Sequence, residues 1–161
     1  MTVRTLILLR HAKAADPDEY ATDIERPLTA RGHRDARAAG EWLRGAALAP
    51  DAVLCSTAVR TRETLEDLGL AETPAIYEQR IYVGPAADTL DLLQQTDPAV
   101  ATLLLVGHNP TVTDLSDLLA PSALRDRALA TSGIAVHRFD TTWRDLAEAE
   151  APLVDQHTAR G

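Results

Sequence analysis

Apolar positions in this chain fall into four short, unbroken runs: "VRTLILL" at 3–9, "DAVLCS" at 51–56, "ATLLLVG" at 101–107 and "GIAVHRF" at 133–139. Runs of this length without polar alternation suit strands covered on both faces. Between them apolar residues recur at helical spacing: 29–48, "TARGHRDARAAGEWLRGAAL"; 57–70, "TAVRTRETLEDLGL"; 86–96, "AADTLDLLQQT"; and 110–120, "PTVTDLSDLLA". Thr29 is placed to cap the first helix, Ser56 or Thr57 the second, and Gly69 to stop it. Pro110 stands where a helix begins. After residue 140 the pattern is less regular. One edge strand is expected near 151–155, and the last few residues are expected to fray. Strands alternating with helices predict an α/β fold, a three-layer sandwich with a mostly parallel central sheet flanked by helices. No repeat, linker or low-complexity segment interrupts the pattern, so residues 1–161 read as a single domain.

Composition narrows the picture. The chain is 45% hydrophobic, 25% charged and only 4% aromatic, so its core is built from aliphatic side chains. Its net charge of −8 argues against nucleic acid as a partner, which needs a basic face. Any anion site must therefore be a local positive spot in a negative field. The single cysteine, Cys55, can form no intrachain disulfide, which fits a reducing, cytoplasmic setting. The first apolar run is short and broken by Arg10, unlike a signal peptide. No stretch approaches the roughly 18 apolar residues of a membrane span, so no membrane partner is expected. The reading is of a monomer.

The candidate chemistry lies where the apolar runs stop. "LILL" meets Arg10 and His11, with Lys13 close behind; "VLCS" leads to Arg60; "LLLVG" meets His108-Asn109-Pro110. In open α/β sheets, sites form outside the carboxyl ends of the strands. Two arginines, two histidines and two helix N-termini would then share one edge, suited to a compact, multiply charged oxyanion. Phosphate is the obvious candidate, because arginine presents forked donors to its oxygens.

"LRHAKA" at 9–14 resembles the Arg-His-Gly/Ala signature of the histidine phosphatase superfamily, which includes phosphoglycerate mutases and acid phosphatases. "RPLTARG" at 26–32, "CSTAVRTRETLE" at 55–66, "VGHNP" at 106–110 and "TSGIAV" at 131–136 extend the resemblance in order along most of the chain. The set is similar to the small SixA-type branch, the phosphohistidine phosphatases. This resemblance implies that His11 is the nucleophile and forms a phosphohistidine intermediate. It also implies that Arg10, Arg60 and His108, the last as an imidazolium, hold the phosphoryl oxygens, and that Arg26 lies near the mouth. No cofactor or metal is called for. The implied substrate is phosphohistidine on a protein, with a small phosphate ester as the alternative.

Larger members of that superfamily carry a carboxylate that protonates the leaving group. The matching region here is "YEQRIYVG", which puts Glu78 or Gln79 at that position; Asp16 and Asp18 are further candidates. Only about twenty residues separate "YEQR" from the strand before His108, too few for a large lid. That favours hydrolysis over retention of a substrate for mutase chemistry. Other readings fit less well. Cys55 and Arg60 have four residues between them, where a cysteine phosphatase loop has five. No paired histidine spacing or acidic cluster suggests a metallohydrolase. A non-catalytic phosphate-binding module would not need the full set of Arg10, His11, Arg60 and His108. His33, His137 and His157 have no evident partners and are expected on the surface.

Overall fold

The computed structural model describes residues 2–161 and contains a six-stranded sheet. The strands are β1 (Arg4–Arg10), β2 (Ala52–Cys55), β3 (Ala75–Tyr77), β4 (Thr102–Gly107), β5 (Gly133–Phe139) and β6 (Leu153–Thr158), in the spatial order β3-β2-β4-β1-β5-β6. The β3/β2, β2/β4 and β4/β1 pairs are parallel, while β1/β5 and β5/β6 are antiparallel. The helices are α1 (Ala30–Gly45), α2 (Val59–Asp67), α3 (Gln79–Val83), α4 (Ala86–Gln94) and α5 (Thr111–Leu119).

The two faces of the sheet explain the unbroken apolar runs. Leu6, Leu8, Leu103 and Leu105 point into one core with Leu93, Leu115, Leu119 and Trp143. Ile7, Leu9, Leu104 and Val106 point into the other with Ala39, Leu43, Leu65 and Leu68 of α1 and α2. A central strand with helices on both sides needs apolar residues at every position. Leu6, Ile7, Leu8 and Leu9 are fully buried, each worth roughly 1.5–3 kcal/mol relative to exposure. The three-layer sandwich expected from the sequence is the fold observed.

The sheet edges carry a weaker sequence pattern. β3 is three residues long and exposed throughout, so no apolar run announces it. The tail strand β6 begins two residues later than expected and runs to Thr158. The end of the chain does not fray. Ala159 is buried, and Asp35 accepts a hydrogen bond from the Gly161 backbone N–H. Thr29 caps α1 as expected, its hydroxyl accepting from Gly32 N–H. The second cap is different: Ala58 is the N-cap residue of α2 and neither Ser56 nor Thr57 caps it. Gly69 does end that segment, at φ +77°.

Candidate active site

β1, β2 and β4 stop at the same level, because Arg10 pairs with Gly107 and Cys55 with Val106 across the sheet. Their carboxyl ends, together with the residues before β5, surround a cavity of about 220 Å³ lined by Arg10, His11, Lys13, Arg26, Arg60 and His108, with Ala14, Asn109 and Thr131. The sequence-derived cluster is therefore brought together in space. His11 N–H continues the ladder by donating to Gly107 carbonyl, and His11 carbonyl accepts from Ser132 N–H. Ala12 N–H donates to the buried Thr64 hydroxyl, which itself donates to the carbonyl of Arg60. Thr64 thus ties the signature loop to the helix that carries Arg60.

"RPLTARG" packs directly against that loop. Thr29 N–H donates to Lys13 carbonyl and Ala15 N–H to Pro27 carbonyl. Gly32 allows the approach, since a Cβ there would lie 2.1 Å from the Lys13 carbonyl oxygen. The loop after β4 is fixed by Asn109, whose side-chain amide donates to Leu129 carbonyl while its oxygen accepts from Thr113.

His11 is 7% exposed, and its Nδ1 lies 2.7 Å from Ala12 carbonyl oxygen. A carbonyl can only accept, so Nδ1 carries the proton and Nε2 keeps its lone pair. Burial pushes the imidazole down to about 4, opposed by the Ala12 carbonyl and helped by the charges of Arg60, Arg10 and Arg26. His11 is thus neutral near pH 7. Burial, then neighbouring groups that include the Arg60 and Arg10 guanidiniums, push His108 to about 3, so it too is neutral, against the imidazolium implied by the resemblance. Its ring centroid stands 5.3 Å from that of His11.

Three buried polar atoms of this cluster, Arg10 Nε, Arg60 Nε and His108 Nδ1, have no hydrogen-bond partner. Their cost is tolerable where a ligand completes them. Among the described residues, those that line the cavity include no Asp or Glu.

Two residues that no sequence pattern signalled organise the rim. Asp23 lies on a short 3-10 turn, Asp23–Glu25, and takes both terminal nitrogens of Arg60, one on its backbone carbonyl and one on its carboxylate. The same carboxylate accepts from Arg26 Nε and from the Tyr82 hydroxyl. Partial burial pushes this carboxyl up, but the hydrogen bonds from Tyr82, Arg60 and Arg26 outweigh it and hold it below the usual carboxylate range. Tyr82, on α3, sets its ring edge-on to His108. Nothing about an isolated Asp or Tyr distinguishes these positions in the sequence; Asp23 lies only three residues before Arg26.

The acid candidates fall elsewhere. Glu78 lines a separate apolar cavity and pairs with Arg80 at 2.9 Å. The Arg80 guanidinium holds its carboxyl below the ordinary value. Gln79 accepts from Thr57. Asp16 caps the turn at Pro17–Glu19 and Asp18 is exposed. Cys55 is buried in β2, and burial pushes its thiol up to about 12, which leaves no thiolate for nucleophilic chemistry. His33 pairs with Asp67, and His157 stacks on Trp42. His137 is fully buried, not on the surface, because Ser116 and the Ala151 carbonyl occupy both its nitrogens. Among the described residues no group of three His, Cys, Asp or Glu side chains is placed to hold a metal ion, and no helix is long and apolar enough to cross a membrane.

This fold is that of the phosphoglycerate-mutase-like α/β phosphatases, and residues 6–81 match the histidine phosphatase superfamily (branch 1). An uncharacterised Mycobacterium tuberculosis protein is 43% identical over 160 residues, covering 94% of this chain and all of that protein. Phosphohistidine phosphatase SixA of Escherichia coli K12 is 31% identical over 121 residues, 72% of this chain and 74% of SixA. A structure from Nakamurella multipartitia assigned to the SixA phosphohistidine phosphatases superposes with a TM-score of 0.90 at 36% identity, covering 99% of this chain and 98% of that one. The protein histidine phosphatase SixA complexed with tungstate gives 0.80 at 27% identity, covering 96% of each chain. The chain belongs to the histidine phosphatase superfamily and is a phosphatase. Within that superfamily it groups with the SixA-type branch.

Proposed function

We propose that this protein hydrolyses phosphohistidine on a partner protein through a covalent phospho-His11 intermediate. The observation that carries the proposal is one cavity lined by Arg10, His11, Arg60 and His108, in which His11 is neutral and Arg10 Nε, Arg60 Nε and His108 Nδ1 are buried without hydrogen-bond partners. In this reading His11 Nε2 attacks phosphorus while Arg10, Arg60 and His108 hold the equatorial oxygens. Solvent water protonates the free ring nitrogen of the substrate phosphohistidine, and when the N–P bond breaks its electron pair stays on the departing nitrogen, so the leaving group is neutral imidazole. A second water then attacks phospho-His11, releasing inorganic phosphate and restoring the neutral imidazole. Phosphoryl transfer draws mostly on positioning and charge stabilisation. The tungstate complex of the related SixA, which holds a tetrahedral oxyanion, supports the anion assignment.

The absence of a carboxylate from the cavity lining supports the choice of substrate. An alkoxide is a poor leaving group and needs a proton in the transition state. Imidazole has a reference pKa of about 6.5 and can be protonated by solvent near neutral pH. Values of kcat/KM for a phosphohistidine peptide should greatly exceed those for sugar or glycerate phosphates. Rapid quenching should trap acid-labile, alkali-stable label on the wild type and none on His11→Ala. An alkyl phosphate that matches phosphohistidine would turn the reading to a small-molecule phosphomonoesterase. Label retained in His11→Ala would remove His11 from its role.

A further inference from the structure

Ser56 immediately follows β2 and is fully buried. Sequence pattern makes it a helix cap, but its hydroxyl oxygen lies 2.7 Å from His108 Nε2 instead. The same oxygen accepts a long hydrogen bond from Ala58 N–H, at 3.4 Å. On the far side of the imidazole, His108 Nδ1 is buried and without a partner. Two proton arrangements fit the heavy atoms. If His108 Nε2–H donates to Ser56, the oxygen receives two donors and its own proton has no acceptor in a buried place. Nδ1 would then turn a bare lone pair toward an anion. If Ser56 donates to Nε2, every hydroxyl group is satisfied and Nδ1–H becomes a donor in the cavity.

We propose that Ser56 is a positioning residue that fixes His108 as its Nδ1–H tautomer, so that a neutral His108 donates to the phosphoryl group. The proposal rests on the phosphatase reading above and deepens it. It resolves a conflict in the site. His108 is buried, Arg60 and Arg10 crowd it with positive charge, Asp23 opposes them, and the Tyr82 ring stands edge-on to it. An imidazolium is disfavoured there, yet the oxyanion needs a donor. A hydroxyl on the opposite nitrogen supplies the donor without adding a charge. His11 is oriented by the same logic with the nitrogens' partners of a different kind: the Ala12 carbonyl forces Nδ1–H and leaves Nε2 as the nucleophile. Two neighbouring histidines thus share one tautomer, and one presents its lone pair while the other presents its proton.

The direct test is ring-nitrogen NMR of wild-type protein labelled with 15N-histidine at pH 7.5, with His108 assigned by the signal lost in His108→Gln. A protonated Nδ1 and a bare Nε2 are expected on His108. The opposite pattern overturns the proposal, and turnover plays no part in that readout, so it stands apart from the substrate assignment. A second test compares Ser56→Ala with wild type. An oxyanion donor is typically worth about a hundredfold in rate. Partial loss of one should lower kcat/KM for nitrophenyl phosphate on the order of tenfold at pH 7.5, and the ring-nitrogen pattern of His108 should shift toward a mixture of the two tautomers. A His108 pattern in Ser56→Ala unchanged from wild type indicates a packing role and overturns the proposal. Failure of both enzymes to turn over any phosphate, with the expected NMR pattern intact, would overturn the phosphatase reading instead.

Discussion

Asp23 grips Arg60 at the rim of the cavity, with its carbonyl and its carboxylate each 2.8 Å from a terminal guanidinium nitrogen. Both terminal nitrogens are therefore bound by one residue, while Nε is buried and unpartnered. The grip fixes the plane of a guanidinium that sits beside the like charge of Arg10. A flexible arginine next to another cation would swing to solvent; Arg60 is 5% exposed.

Asp23→Ala should therefore lower kcat/KM, on the order of tenfold or more, by loosening an electrostatic donor. Its carboxyl is held ionised by Tyr82, Arg60 and Arg26, so it has no proton to give near neutral pH. The loss should be equal for phosphohistidine and for nitrophenyl phosphate. A loss confined to substrates with poor leaving groups would instead identify Asp23 as an acid.

Arg60 and Arg62 separate the site from its surroundings. Arg62 is exposed, donates to Thr57 carbonyl and lies 4.0 Å over the Tyr77 ring, away from the cavity. Arg60→Ala should depress vanadate binding and turnover together, about a hundredfold in rate. Arg62→Ala should leave both near wild type. Isothermal titration with vanadate beside steady-state rates checks both, and a larger effect at Arg62 would mean that α2 presents a different face.

These contrasts show which features can be read from sequence. Buried strands declare themselves through runs such as Leu6–Leu9, and the cationic residues that end them stand out because a buried strand has no use for them. Edge strands do not: β3 has no buried residue, and its pairing is decided by β2. Ser56 follows local preference as a helix cap until His108 arrives from fifty-two residues away and takes its hydroxyl. Asp23 and Tyr82 meet across fifty-nine residues. His137 is invisible for the same reason, since what makes burial tolerable is a pair of partners supplied by α5 and by Ala151. Local signals find the strand ends; only tertiary structure finds the groups that hold them in place.

Glu78→Gln tests the idea that the region "YEQR" supplies an acid. Glu78 is paired with Arg80 and faces a different cavity. The substitution should change phosphohistidine turnover less than twofold, because the ion pair with an exposed arginine contributes little. A tenfold loss on alkyl phosphates alone would return Glu78 to the reaction.

Acid should destabilise this protein earlier than its carboxylates require. Burial lowers the pKa of His137, partly opposed by the Ala151 carbonyl; His11 lies at about 4 and His108 at about 3. In the unfolded chain all three return to about 6.5. Above that value neither state is protonated, so the histidines leave stability unchanged with pH. Below it the unfolded chain takes up protons that the folded one refuses, and stability falls by up to about 1.4 kcal/mol per pH unit for each histidine. For His11 and His108 the fall continues until pH reaches their folded values. Asp23 acts lower, because its folded pKa is depressed: its contribution is present above about pH 4 and is lost only as pH drops further. Urea midpoints should therefore be flat between pH 8 and 7 and decline steadily from pH 6.5 to 4.5. His137 is the part of this that does not belong to the cavity. Protonating it would set an N–H against the Ser116 hydroxyl that now lies 2.8 Å away. Saturating vanadate should oppose the decline by stabilising the folded state, and the His137 share should remain in His11→Asn. A midpoint unchanged down to pH 4.5 would mean that these histidines take up protons within the folded protein.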